Sequence, residues 1–195
     1  MSKSVKYYLA VYNLIAFVFW LLYLVCYIDS GFEISTYLLL LNIAQGMAVL
    51  EIVHALLKWV KSPVGSTVAQ VFSRILVLVC IDLFIINHFN TALFRTGVVI
   101  VSFAWGITEL VRYSLYFLSL FDKQPEALLW MRYSFFIVLY PLGVTGEWLI
   151  LITPLVIAGI VLNAYTGLLA VLIISYLYYF PVLYKYMWKQ RKAKL

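Results

Sequence analysis

The sequence predicts an all-α membrane protein, a bundle of six transmembrane helices with both termini cytosolic. Three observations carry that prediction. Of 195 residues, 66% are hydrophobic and only 11% are Asp, Glu, Lys or Arg, whereas a soluble domain carries about 25% charged residues to keep its surface in water. Mean hydropathy is +1.02. The apolar residues fall in continuous runs of roughly 20, the length that crosses a hydrocarbon core about 30 Å thick as a helix, without the short alternating segments of a barrel strand.

The first span, at about 9–28, is flanked by Lys3 and Lys6 and runs full length to Asp29 with no small-residue cleavage site, so it reads as a span and not as a signal peptide. The second, about 37–57, follows Asp29 and Glu33 and closes on Lys58 and Lys61. The third and fourth, about 67–86 and 97–118, enclose the segment with Arg95, and Lys123 follows the fourth. The stretch from 128 to 163 holds one long span or two, and charge decides. With a single fifth span at about 128–151 and a sixth at 166–183, the cytosolic side takes Lys3, Lys6, Lys58, Lys61, Lys123, Lys185, Lys189, Arg191, Lys192 and Lys194, ten of the fourteen basic residues. A seventh span would carry the five basic residues of the tail across, against the positive-inside rule.

No Gly/Ser-rich linker interrupts the chain, so 1–195 reads as one domain. Cys26 and Cys80 lie in apolar runs, which offers neither a disulfide framework nor a Cys-rich zinc site. The net charge of +6 points to orientation and anionic headgroups of membrane lipids, and no nucleic-acid partner is expected.

Ionisable residues inside spans are costly and face the bundle interior or a wet cavity. From the cytosolic end of its span, Arg132 lies roughly 6 Å deep, Arg112 and Glu51 about 9 Å, Arg74 about 10 Å and Glu109 about 14 Å. Glu109 and Arg112 are three apart, as are Glu51 and His54, so each pair can share a helix face. Two readings follow. The charges hold the bundle together as ion pairs, or they form a polar vestibule whose arginines receive an anionic group, since the planar guanidinium makes paired hydrogen bonds to phosphate. His54 has no second His or Cys at ligand spacing, so no metal is expected.

The fifth span passes through Tyr140, Pro141, Gly143, Gly146 and Glu147. Pro removes a backbone donor and clashes with the preceding turn, so the helix is expected to kink or unwind there, which lipid tolerates only where protein or water satisfies the freed groups. A break beside an intramembrane Glu marks a site. In an unbroken helix Tyr140 and Glu147 share a face but stand roughly 10 Å apart along the axis. A carboxylate removed from water is a usable base, and a phenol can give a proton to a leaving oxygen.

Several segments together resemble the very-long-chain 3-hydroxyacyl-CoA dehydratases, also called the protein-tyrosine-phosphatase-like family. They are Leu50-Glu51-Ile52-Val53-His54, Ser62-Pro63-Val64, Ser73-Arg74, Trp105-Gly106-Ile107-Thr108-Glu109-Leu110-Val111-Arg112-Tyr113-Ser114, and the run from Arg132-Tyr133-Ser134 to Tyr140-Pro141-Leu142-Gly143-Val144-Thr145-Gly146-Glu147. The resemblance implies removal of water from a (3R)-3-hydroxyacyl-CoA to give a trans-2-enoyl-CoA, the third step of each elongation cycle, with the catalytic pair at Tyr140 and Glu147. It implies no cofactor, residence in the endoplasmic reticulum membrane, and an elongase condensing enzyme, a ketoacyl-CoA reductase and an enoyl-CoA reductase as neighbours. Glu147 is assigned as base and Tyr140 as acid, with the reverse left open. Arg74, Arg112 and Arg132, with Glu51, Glu109 and His54, are the candidate substrate-binding residues for the CoA phosphates or the vestibule around them.

The chain departs from the His-Cys signature behind the family's phosphatase-like name, because Ala55 follows His54 and Lys61 stands where that signature ends. Phosphatase chemistry therefore has no nucleophile there. The rival readings are a catalytically inactive scaffold of the elongation complex and a small lipid transporter. A transporter is expected to show paired helix breaks in inverted repeats, and a dead scaffold to have lost Tyr140 or Glu147.

Overall fold

The computed structural model describes residues 2–88, 91–158 and 164–195, and every regular element among them is a helix. In chain order these are α1 (Lys3–Asp29), α2 (Ile34–Gly46), α3 (Val49–Leu56), α4 (Val64–His88), α5 (Ala92–Ser119), α6 (Glu126–Arg132), α7 (Phe136–Ala158) and α8 (Ala164–Lys194). With α2 and α3 counted as one span, six helices among the described residues are long and apolar enough to cross a membrane.

α5 is the centre of the bundle, with α1 and α7 packed against it. On α1, Tyr12, Ala16, Trp20, Tyr23 and Tyr27 recur every three or four residues and are all buried, a stripe at helical period. Tyr23 Oη and Ser102 Oγ on α5 lie 2.6 Å apart, which satisfies both hydroxyls inside the stripe. In lipid no hydrophobic force drives helices together, so close backbone approach at small residues does it instead. α5 and α7 meet in that way: a Cβ on Gly97 would lie 2.9 Å from the Gly146 carbonyl oxygen, and a Cβ on Gly146 would lie 2.9 Å from that of Gly97.

The helical ladder is interrupted inside the second span and again just before the fifth, each time where another helix supplies partners. Between α2 and α3 the ladder tightens, with Leu50 N donating to Met47 O and Glu51 N to Ala48 O, while Tyr12 Oη of α1 donates to Met47 O at 3.0 Å. A side chain inserted into the ladder kinks a helix. The second break lies at Tyr133 to Phe135, between α6 and α7, where Arg191 of α8 donates to Tyr133 O at 2.9 Å and also to Ser134 Oγ.

Of the kink or unwinding expected at Pro141 to Gly146, the unwinding is absent, and α7 runs helical from Phe136 to Ala158. Pro141 sits just beyond the first turn, and the carbonyl its missing N–H leaves unbonded, Ile137 O, accepts from Tyr184 Oη of α8 at 3.3 Å. The cost of the proline is thus met from outside the helix, which continues through it.

Candidate active site

The two breaks flank a cavity of about 530 Å³ enclosed by α2 to α8. Exposed Lys61, Ser62, Pro63, Ser66 and Gln190 line its mouth, and Trp105, Glu147 and Tyr176 line it deeper in.

Nearer the mouth, Glu109 of α5 is 1% exposed. It pairs with Arg74 of α4 and stands 2.6 Å from Arg112 Nη2, one turn further along α5, close enough for an ion pair though not aligned as a hydrogen bond. Arg112 also grips Glu51 of α3 with both terminal nitrogens, Nη1 at 2.9 Å and Nη2 at 2.5 Å. Tyr113 Oη donates to the same carboxylate at 2.7 Å. Two guanidinium groups and two carboxylates therefore neutralise one another and tie α3, α4 and α5 together. Removing one member would leave a charge unpaired in a low-dielectric setting, which typically costs about 3–5 kcal/mol.

Arg132, at the end of α6, lines the cavity and makes no ion pair among the described residues. The vestibule arginines thus separate into two that are already partnered and one available to a ligand. His54 does not line the cavity. Its Nε2 lies 3.0 Å from Tyr8 Oη and its ring stacks at 5.9 Å on Trp59. Both residues belong to α3, and Tyr12 of α1 reaches each of them, its Oη 3.4 Å from Glu51 Oε1 and its ring 4.7 Å from that of His54.

Deeper in, Glu147 is 8% exposed and both its oxygens are held by neutral donors. Trp105 Nε1 of α5 donates to Oε1 at 2.9 Å, and Tyr176 Oη of α8 donates to Oε2 at 2.5 Å. Tyr140 lines the same cavity nearer its mouth, its ring stacked on Phe180 at 5.1 Å and on Tyr184 at 6.2 Å. Because α7 is unbroken, Tyr140 and Glu147 remain about 10 Å apart along the axis. Helical side chains lean toward the N-terminus, and both residues lie on α7 and share that lean, so it leaves the separation of the hydroxyl and the carboxylate unclosed.

Sequence reasoning assigned no role to Trp105, Tyr176, Lys61 or Gln45, all of which line the cavity. Aromatic residues are ordinary in a span, so Trp105 and Tyr176 carry no signal until their partner is known. A second apolar hollow of about 430 Å³ lies between α7 and α8, lined by residues that include Trp148, Leu149, Ile152, Ile173, Leu177 and Phe180, and it shares Val144 and Tyr176 with the first.

Comparison with known proteins identifies the family. Residues 45–195 match the family described as protein tyrosine phosphatase-like protein, PTPLA. A very-long-chain (3R)-3-hydroxyacyl-CoA dehydratase of Caenorhabditis elegans is 38% identical over 80% of this chain and 76% of its own. Very-long-chain (3R)-3-hydroxyacyl-CoA dehydratase 2 of Mus musculus is 34% identical over 96% of this chain and 80% of its own. The Arabidopsis thaliana dehydratase PASTICCINO 2 is 38% identical over 72% of this chain and 65% of its own. No solved structure matches.

Proposed function

Because the chain belongs to the protein tyrosine phosphatase-like family, PTPLA, we propose that it is a membrane-embedded lyase that converts a very-long-chain (3R)-3-hydroxyacyl-CoA to the trans-2-enoyl-CoA. The observation that carries this reading is Glu147, a buried carboxylate deep in a cavity that opens among basic side chains, with both oxygens oriented by Trp105 and Tyr176. The phosphatase in the family's name finds no support here, since neither Cys26 nor Cys80 lines the cavity and hydrolysis through a thiolate needs one.

In the proposed mechanism Glu147 takes the proton from C2, which the neighbouring thioester acidifies, and the electron pair forms the C2–C3 double bond as the C3–O bond breaks. A phenol gives its proton to that oxygen, which leaves as water. Tyr140 is the acid that the family resemblance implies, and C2 and C3 would then lie between its hydroxyl and the carboxylate. The continuity of α7 favours a second assignment, in which Tyr176, already hydrogen-bonded to Glu147, supplies the proton. Neither assignment routes a step through a metal or cofactor.

Charge supports the placement of the rest of the substrate. The CoA phosphates would sit at the mouth with Arg132 and Lys61, because Arg74 and Arg112 are occupied by Glu109 and Glu51. The pantetheine arm would follow the cavity inward, and the acyl tail would leave through the hollow between α7 and α8 that shares Tyr176. Each methylene removed from water there contributes about 0.8 kcal/mol. The same reading places both termini in the cytosol, the chain as one domain in the endoplasmic reticulum membrane, and the condensing enzyme and the two reductases of elongation as its neighbours. Incubation of the purified protein with 3-hydroxyacyl-CoA substrates tests it: enoyl-CoA formation is expected, and its absence at every chain length would leave the scaffold reading in its place.

A further inference from the structure

Gln45, on the last turn of α2, is 1% exposed, and neither its Nε2 nor its Oε1 has a hydrogen-bond partner among the described residues. A buried carboxamide with both ends unsatisfied has given up its hydration for nothing, and native folds avoid this unless another partner arrives. The side chain lines the substrate cavity, and the kink held by Tyr12 begins within two residues of it.

Its depth identifies the partner. Spans two and five run in opposite directions, so the C-terminal end of one and the N-terminal end of the other lie on the same side. Gln45 precedes Leu56 by eleven residues and Glu147 follows Phe136 by eleven, which puts each about 17 Å in. The Cα atoms of Gln45 and Glu147 are therefore at about the same depth, well below Arg132.

We infer that Gln45 binds the reacting end of the acyl thioester, its Nε2 donating to the thioester carbonyl oxygen and its Oε1 accepting from the 3-hydroxyl. This rests on the dehydratase reading and adds a residue to it. The carbonyl oxygen and the 3-hydroxyl stand two carbons apart and offer an acceptor beside a donor, the complement of a carboxamide. A trans amide of the pantetheine arm turns its N–H and C=O in opposite directions, so one carboxamide cannot satisfy both ends of it. As the C2 proton passes to the base, negative charge gathers on the carbonyl oxygen, and the bond from Nε2 strengthens toward the transition state. Gln45 itself gains and loses no proton.

The test is Gln45→Met in the full-length protein, with Gln45→Leu as a second variant. Two readouts are expected to move oppositely. Thermal stability stays equal or rises, because two unsatisfied polar atoms are gone, while kcat/KM for 3-hydroxyacyl-CoA falls about 100-fold or more. Instability of both variants would assign Gln45 to the scaffold of the bundle and overturn the inference, as would a stable variant with unchanged kcat/KM. An inactive wild-type protein would overturn the dehydratase reading and this inference with it, whereas an active wild type with equally active variants overturns only the role of Gln45.

Discussion

Gly146→Ala is expected to damage both the packing and the chemistry, because the residue sits where α5 and α7 touch and immediately before Glu147. A Cβ there would lie 2.9 Å from Gly97 O, 2.9 Å from Val101 Cγ2 and 3.0 Å from Ile100 Cγ2, where ordinary contact begins near 3.4 Å. The obstacles are a backbone carbonyl and two β-branched side chains, none of which can swing aside, so the helices must part by about 0.5 Å. Overpacking of this kind typically costs about 1–3 kcal/mol. The same displacement moves Glu147 against the Trp105 donor that holds it at 2.9 Å, and since about 1 Å of misplacement can cost on the order of 100-fold in rate, a loss of roughly tenfold in kcat is expected. Gly97→Ala meets Gly146 O at 2.9 Å from the other side. The two should be non-additive, because one separation of the helices accommodates both methyl groups. Gly65→Ala, which meets nothing within 4 Å, serves as control and should be neutral or stabilising by about 0.5–1 kcal/mol. Unfolding titrations and turnover of the purified variants measure these effects. A Gly146→Ala protein as stable and active as wild type would refute the close α5–α7 contact and its link to Glu147.

Three further outcomes are expected. If Tyr140 is the acid, Tyr140→Phe lowers kcat by about 100-fold or more while Tyr176→Phe, which only frees one oxygen of Glu147, lowers it far less; the opposite order assigns the proton to Tyr176. Arg132→Gln should weaken binding of acyl-CoA more than of the corresponding pantetheine thioester, which lacks the nucleotide phosphates, whereas Arg112→Gln should destabilise the bundle by about 3–5 kcal/mol and affect both substrates alike; equal losses in both assays for Arg132→Gln would remove it from phosphate binding. Tags at either terminus should be cleaved by protease added to sealed microsomes, given the placement of ten of the fourteen basic residues, and a protected C-terminus would contradict the topology.

The all-helical membrane architecture and the family were legible because both rest on long, redundant signals: apolar runs of span length, and several matching segments in order. The helix breaks were not. Pro141 is a strong local rule, but its consequence depended on Tyr184, some forty residues away in sequence, which bonds the carbonyl that proline leaves free. The kink at Met47 has the same origin in Tyr12, and neither tyrosine differs in sequence from the many others in the spans. The intramembrane arginines show a related limit. Their depths were calculable from spacing alone, yet whether each served the bundle or a ligand depended on which carboxylate it reached. Glu109 and Glu51 reach Arg74 and Arg112 and leave Arg132. Gln45 carried no pattern at all, since an orphaned donor and acceptor exist only in three dimensions.

The central claim is that the carboxylate of Glu147 removes the C2 proton, and Glu147→Gln tests it most directly. The change replaces one oxygen with an amide nitrogen at nearly constant volume, so the six-helix fold should persist by thermal unfolding. Dehydration of 3-hydroxyacyl-CoA should fall about 100-fold or more in kcat. Near-normal turnover by a folded Glu147→Gln protein would contradict the account.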